Sequence, residues 1–150
     1  MIINIITIGK PDCEYLKIIE KYLKKLKHLT KINFLPQKDI KLKDPKIKLK
    51  KEEKLLISQV NNGLLCILDQ NGKAFNSIEF SNFIKQNYES NKNINFVIGG
   101  AIGISEEFKN KADLILKISD FTFQHDLALL VLLEQLYRSF TIIYNIPYHK

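Results

Sequence analysis

Four short runs of apolar, largely β-branched residues lack the polar alternation of a sheet that shows one face to water. They are Ile2 to Ile8, Leu64 to Asp69, Ile94 to Ile98 and Leu114 to Ile118. Strands of this kind are buried on both faces, which points to a parallel sheet with helices on either side. The intervening segments supply the helices. Pro11 to Lys27 carries Leu16, Ile19, Leu23 and Leu26 at helical spacing. Lys46 to Val60, Ser77 to Tyr88, Ser105 to Lys111 and roughly Phe123 to Ile143 also read as helices. Lys31 to Leu35 is a fifth, short strand closed by Pro36. The expected fold class is α/β, one domain over residues 1–150, with a parallel sheet flanked by helices. No repeat, linker or break in composition divides it.

Composition narrows the partners. Net charge is +7, which favours a polyanion and nucleic acid first. The cations are 22 lysines and one arginine, Arg138. The lysines track a skew toward Lys, Asn and Ile along the whole chain, so the lone arginine is the more informative. Seven lysines fall within Lys41 to Lys54. That segment reads either as a solvated helix face partly neutralised by Glu52 and Glu53, or as a phosphate-contacting arm. Cys13 and Cys66 lie far apart with no paired ligand spacing, so neither a disulfide nor a metal site is expected. Cys66 lies inside an apolar run and is expected to be a small buried hydrophobe. The opening MIINIITIGK is too short for a signal peptide or a membrane span, so the chain is expected to be soluble and cytosolic.

In an open parallel sheet, ligands bind beyond the carboxyl ends of the strands. Three such ends stand out: Leu68-Asp69-Gln70-Asn71-Gly72, Ile98-Gly99-Gly100-Ala101-Ile102-Gly103 and Ile118-Ser119-Asp120-Phe121-Thr122-Phe123. Glycines there let backbone approach a ligand, and the third loop alternates amides with apolar walls suited to an adenine. Gly100 and Gly103 also match the last two glycines of a dinucleotide fingerprint, with Asp120 downstream. Against that reading, Ile98 stands where the first glycine belongs and the following helix is too short for a crossover.

The last helix is apolar almost all round, which implies burial on more than one side and hence a homodimer interface. Glu134 and Arg138 are four apart and can pair. His125 lies nine residues before Glu134, on the opposite face at helical pitch. The two cannot line one pocket within a subunit, whereas a site shared between subunits would unite them. The closing Tyr148, His149 and Lys150 crowd an aromatic, an imidazole and a cation into a terminus.

The stretches FVIGGAIGIS and LKISDFTFQHDLALLVLLEQLYRSF, then the closing PYHK, resemble the pseudouridine-N3 methyltransferase family of the large ribosomal subunit. The opening strand with Gly9-Lys10 and the LDQNGK loop fit as well, so the resemblance spans nearly the full length. It implies a SPOUT fold with a C-terminal trefoil knot, a homodimer, S-adenosylmethionine as methyl donor, and no metal. It further implies the large-subunit (23S) RNA of the ribosome as substrate. By matched motif, the donor pocket is Leu68, Gly99 and Ile118 through Phe123, with Gly100 and Gly103 shaping the loop. Glu134, Arg138, Tyr148, His149 and Lys150 fall on the substrate side. Three positions depart from the family pattern: Gln124 for a proline, Leu129 for a basic residue on an RNA-facing helix, and Asp120 where lysine is usual. These motivate two alternatives, an RNA-binding protein with little or no methyl transfer and a methyltransferase acting elsewhere on RNA. A nucleotide-binding regulatory domain is a third.

Overall fold

The computed structural model describes residues 1–149; Lys150, the last substrate-side candidate, lies outside them. Five strands form one parallel sheet: β1 (Ile2–Ile8), β2 (Lys31–Gln37), β3 (Leu64–Ala74), β4 (Ile94–Ile98) and β5 (Leu114–Lys117), in the order β2-β1-β4-β3-β5. Five helices connect or follow them: α1 (Cys13–Lys27), α2 (Pro45–Gln59), α3 (Ser77–Glu89), α4 (Glu106–Lys109) and α5 (His125–Ile143). The helix starts are chemically marked. The Asp44 carboxylate accepts from the amides of Lys46 and Ile47 at the head of α2, and Asn76 forms a reciprocal capping box with Glu79 at the head of α3.

The sheet separates two apolar cores. On one face α1, α3 and α5 pack Ile19, Leu26, Ile84, Leu129, Leu133 and Phe140 against Ile3, Ile5, Phe96 and Leu116. On the other, Leu56 of α2 and Phe108 of α4 cover Ile6, Ile8, Ile67 and Val97. Both sheet faces are therefore buried, as the unalternating strands require. Cys66 is fully buried, and burial pushes its thiol up to about 12.

Asparagines pin the strand register. Asn33 donates to Asn4 at 2.9 Å, Asn4 to Asn95 at 2.9 Å, and Asn95 to the carbonyls of Asn61 and Leu64 at 3.0 and 3.2 Å. Asn4 pairs directly with both Asn33 and Asn95 in the sheet, and both Asn4 and Asn95 are buried. Slipping the register would leave these buried amides unpaired, at roughly 1–3 kcal/mol for each group.

Several expectations are revised. Strand β2 runs through Pro36 to Gln37 rather than stopping before the proline; it is an edge strand, where a missing amide is tolerated. Strand β3 continues past Asp69 to Ala74, with a register shift between Leu68 and Lys73 that bulges the intervening residues out of the ladder. The last helix begins at His125 rather than Phe123. Glu52 and Glu53 do not lie on a solvated face. Glu52 is 1% exposed and meets Lys48 at 3.4 Å, while Glu53 accepts from the Ser105 amide at 2.6 Å. Leu129 does not face RNA: it is fully buried in the larger core, where its neighbours exclude water.

Candidate active site

The bulge of β3 and the carboxyl ends of β4 and β5 converge on a cleft of about 480 Å³, within the range of small-molecule sites. Nine of the ten residues expected to hold a donor line it: Leu68 from β3, Gly99, Gly100 and Gly103 after β4, and Ile118, Ser119, Phe121, Thr122 and Phe123 after β5. The tenth, Asp120, does not. Its carboxylate turns outward to Lys117 at 2.5 Å, and that ammonium holds its pKa below the usual carboxylate value.

Glycine is required where the loop after β4 closes. A Cβ on Gly99 would stand 2.6 Å from Cγ1 of Ile104 and 2.8 Å from the Gly103 carbonyl oxygen. Gly103 has φ +76°, and its amide donates to the Gly100 carbonyl at 2.9 Å, drawing the loop into a tight bridge. A Cβ on Gly100 would lie 3.0 Å from Oε2 of buried Glu52. The loop is thus packed from behind, and its three glycines leave backbone open to the cleft, a cradle that suits close approach of a small-molecule ligand.

The rim is held by contacts between the loops that the sequence does not reveal. Asp69 accepts from the Asn71 amide at 2.9 Å and meets Lys109 of α4 at 2.7 Å. Burial raises the Asp69 pKa, but the lysine and the amide outweigh it and leave the carboxyl below its ordinary value. Thr122 donates to Gln70 at 3.1 Å, tying the loop after β5 to the β3 bulge. His125 also borders the cleft, with Nδ1 2.9 Å from Asp126, whose other oxygen accepts from the Asp12 amide at 2.8 Å. Gln124 precedes the helix at φ −55°, the backbone angle of the proline it replaces. The loop carrying Asp69 and Gln70 was legible as a strand end; its bulge, which turns those side chains to the cleft, was not.

A second cluster forms lower on α5. Arg138 donates to Oε1 of Glu134 from Nη2 at 2.7 Å and from Nε at 3.2 Å, and the Tyr148 hydroxyl donates to the same oxygen at 3.1 Å. Gln135 donates to the other Glu134 oxygen at 2.7 Å. Arg138 also lies 3.2 Å from Nδ1 of His149; arginine can only donate, so that nitrogen accepts and the neutral ring carries its proton on Nε2. The hydrogen bond to Glu134 raises the Arg138 pKa. Burial raises that of Tyr148, reinforced by Tyr22 and Glu134, so the phenol stays neutral. The structure therefore unites Glu134, Arg138, Tyr148 and His149.

It does not bring this cluster to the cleft of the same chain. His125 and Glu134 are nine residues apart on one helix, which is about 13.5 Å of rise and about half a turn of rotation. Cleft and cluster occupy different faces and different levels of α5. At the cleft side of the molecule Phe121 is 81% exposed and Ile102 is also exposed, an apolar rim open to solvent. Among the described residues no group of His, Cys, Asp and Glu is placed to hold a metal ion, and no helix is long and apolar enough to cross a membrane.

A parallel α/β sheet with a glycine-lined cleft at its carboxyl edge and an interlocked polar tail agrees with what a family model recognises. The model described as "Predicted SPOUT methyltransferase" matches residues 1–149, and the chain belongs to that family of methyltransferases. Within it, the chain is 41% identical to the Ribosomal RNA large subunit methyltransferase H of Malacoplasma penetrans, with 100% of both chains covered. The proteins of that name from Pseudothermotoga lettingae and Dictyoglomus thermophilum are 41% and 42% identical, each with 99% of both chains covered. Among solved structures, a probable methylase family protein from Haemophilus influenzae superposes with a TM-score of 0.57 at 16% identity, covering 99% of this chain and 70% of its own. A putative methylase family protein from Neisseria gonorrhoeae gives 0.54 at 12%, covering 91% and 81%. At those identities the likeness is one of fold. The resemblance read from the glycine loop and the LLEQLYR helix is borne out by these matches.

Proposed function

We propose that this protein transfers a methyl group from S-adenosylmethionine to N3 of a pseudouridine in large-subunit (23S) ribosomal RNA, acting in the cytoplasm as a homodimer with a composite active site. The observation that carries the substrate class is the full-length identity, 41% over all of both chains, to a relative whose name states it. The composite site rests on the geometry of α5. A cleft and a cluster on different faces of one helix serve a single reaction when a second copy turns its cluster to the first copy's cleft. The exposed Phe121 and Ile102 are the surface such a copy would cover. The C-terminal part, which carries the cleft loops, is the part proposed to be knotted, an exception to the usual unknotted chain.

The donor supplies an activated methyl group on a sulfonium. Gly99, Gly100 and Gly103 bring backbone against it, and Leu68, Ile118 and Phe123 wall it off from water. Ser119 and Thr122 hold the third loop, through the Phe121 amide at 3.0 Å and Gln70 at 3.1 Å. The cluster handles the nucleophile. N3 of pseudouridine must lose its proton as it takes the methyl group, and His149 is the acceptor at Nδ1. That nitrogen holds a hydrogen bond from Arg138 at rest, so taking the proton releases a guanidinium N–H to face the imide anion. Glu134 fixes Arg138, and Tyr148 positions the base as a neutral hydrogen-bonding ring.

The reading is tested by methyl transfer from labelled S-adenosylmethionine to ribosomes lacking the modification, followed by mass mapping. Label on one large-subunit pseudouridine supports it. Donor binding with no label, or label on another RNA position, would replace it with a non-catalytic RNA binder or a retargeted enzyme.

A further inference from the structure

Three tyrosines and two cations meet where the first helix packs beside the last residues of the chain. Near the end of α1, Lys25 places Nζ 4.8 Å from the centre of the Tyr137 ring, 5.5 Å from Tyr22 and 6.0 Å from Tyr148. Tyr137 meets Tyr148 edge-on at 4.9 Å and Tyr22 at 6.1 Å. Arg138 lies 4.9 Å from the Tyr148 ring. Lys25 is half-buried, whereas the neighbouring Lys24 and Lys27 are exposed. Its ammonium therefore faces ring density, a recognised attraction within about 6 Å of a ring centre.

A chain terminus frays unless something ties it down, and this cluster sits against one. After α5 the chain turns at Asn145, with φ 54°, and the Ile146 amide returns to the Thr141 carbonyl at 2.8 Å. Beyond that turn, Tyr148 is the side chain that anchors the tail, and His149 is its immediate neighbour. Contacts from α5 alone, through Glu134, Tyr137 and Arg138, hold one side of this anchor; α1 adds an element more than a hundred residues away in sequence.

We propose that Lys25 and Tyr22 are positioning residues that latch the C-terminal tail, keeping His149 within reach of Arg138. The latch stands on the geometry, while its effect on turnover rests on the methyl-transfer reading above. Neither residue touches the donor cleft, so the latch governs the reacting step and leaves donor binding alone.

Three full-length variants separate this from simpler roles. Lys25→Met keeps the apolar stem and removes the cation, Lys25→Arg keeps a cation that stacks on rings, and Lys24→Ala removes an exposed neighbouring charge. Two quantities are read: hydrogen exchange of residues 145–149, and single-turnover methyl transfer at saturating donor and ribosome. Lys25→Met should speed exchange in the tail and slow turnover on the order of 10-fold, with donor affinity unchanged. Lys25→Arg should restore both, and Lys24→Ala should match the wild type. Wild-type tail protection in Lys25→Met would overturn the latch. So would a rate that is slow at limiting ribosome and normal at saturating ribosome, since that would make Lys25 a phosphate contact. If the wild-type protein itself places no methyl group on ribosomal RNA, the functional reading fails, and tail exchange still decides the latch.

Discussion

The cleft at the sheet edge and the cluster on α5 are made of different materials. The cleft is largely backbone: glycines without room for a Cβ, apolar walls, and loops tied by Thr122 to Gln70 and Asp69 to Lys109. The cluster is largely side chain, with Glu134 accepting from Arg138, Tyr148 and Gln135 at once. A backbone cradle needs no charge and tolerates exchange of its apolar lining. A charged network depends on every member, because a partner left unpaired costs more than the pair contributes. Under the proposed reaction, the cleft is the half that binds and the cluster the half that reacts. Donor affinity should follow the loops, and rate should follow the cluster.

The largest effect expected from that division is at the cluster. His149→Ala should lower single-turnover methyl transfer roughly 10²–10⁴-fold, the usual worth of a general base, with calorimetric donor affinity unchanged. A variant that turns over normally would remove His149 from the proton step. Next comes the cleft. Gly99→Ala forces a Cβ against Ile104 and the Gly103 carbonyl, so donor affinity should fall roughly 10–100-fold, the overpacking cost at a site that cannot give. Donor binding at the wild-type level would show that the loop does not cradle the donor.

The smallest effect concerns the rim. Asp69 has a folded pKa below its ordinary value of 3.8. Its ion pair therefore stabilises the fold above that value, and the contribution disappears as pH falls through the lower folded value. Asp69→Asn should cost about 1 kcal/mol at neutral pH, given a pair only partly shielded from water. Thermal melts of the two proteins should converge once the pH is well below 3.8. Curves that stay parallel down to low pH would mean the pair contributes nothing through ionisation.

Much of this was legible in the sequence, for reasons that differ by element. The strands declared themselves because burial on both faces removes polar alternation, and the cleft followed because parallel strands deliver their loops to one edge. Leu68, Gly99 and the loop from Ile118 to Phe123 were expected at that edge from the strand ends and family motif, and all but Asp120 line the cleft. The Glu134–Arg138 spacing and the crowding of Tyr148 and His149 at the terminus singled out the four cluster residues, and the resemblance put them together on the substrate side. What stayed hidden depends on neighbours distant in sequence. Pro36 marks the end of a strand until β2 is known to be an edge. Glu52 looks like surface charge until α2 is laid against the glycine loop, and Leu129 looks RNA-facing until α5 is packed between α1 and α3. Asp120 belongs to the right loop and points away from the cleft. Lys25 is one lysine among 22, and nothing local distinguishes it before the tail returns to it.

The claim that binding and reacting halves come from different subunits can be tested by mixing two defective chains. Chains carrying His149→Ala keep a sound cleft, and chains carrying Gly99→Ala keep a sound tail. Mixed at equal amounts and allowed to exchange, half of the dimers are hybrids, each joining the sound cleft of one chain to the sound tail of the other. Methyl transfer at limiting donor should then recover to about a quarter of the wild-type level, one intact site in each hybrid. No recovery, with hybrid dimers demonstrated in the mixture, would mean that cleft and tail of a single chain act together and that the composite site is wrong.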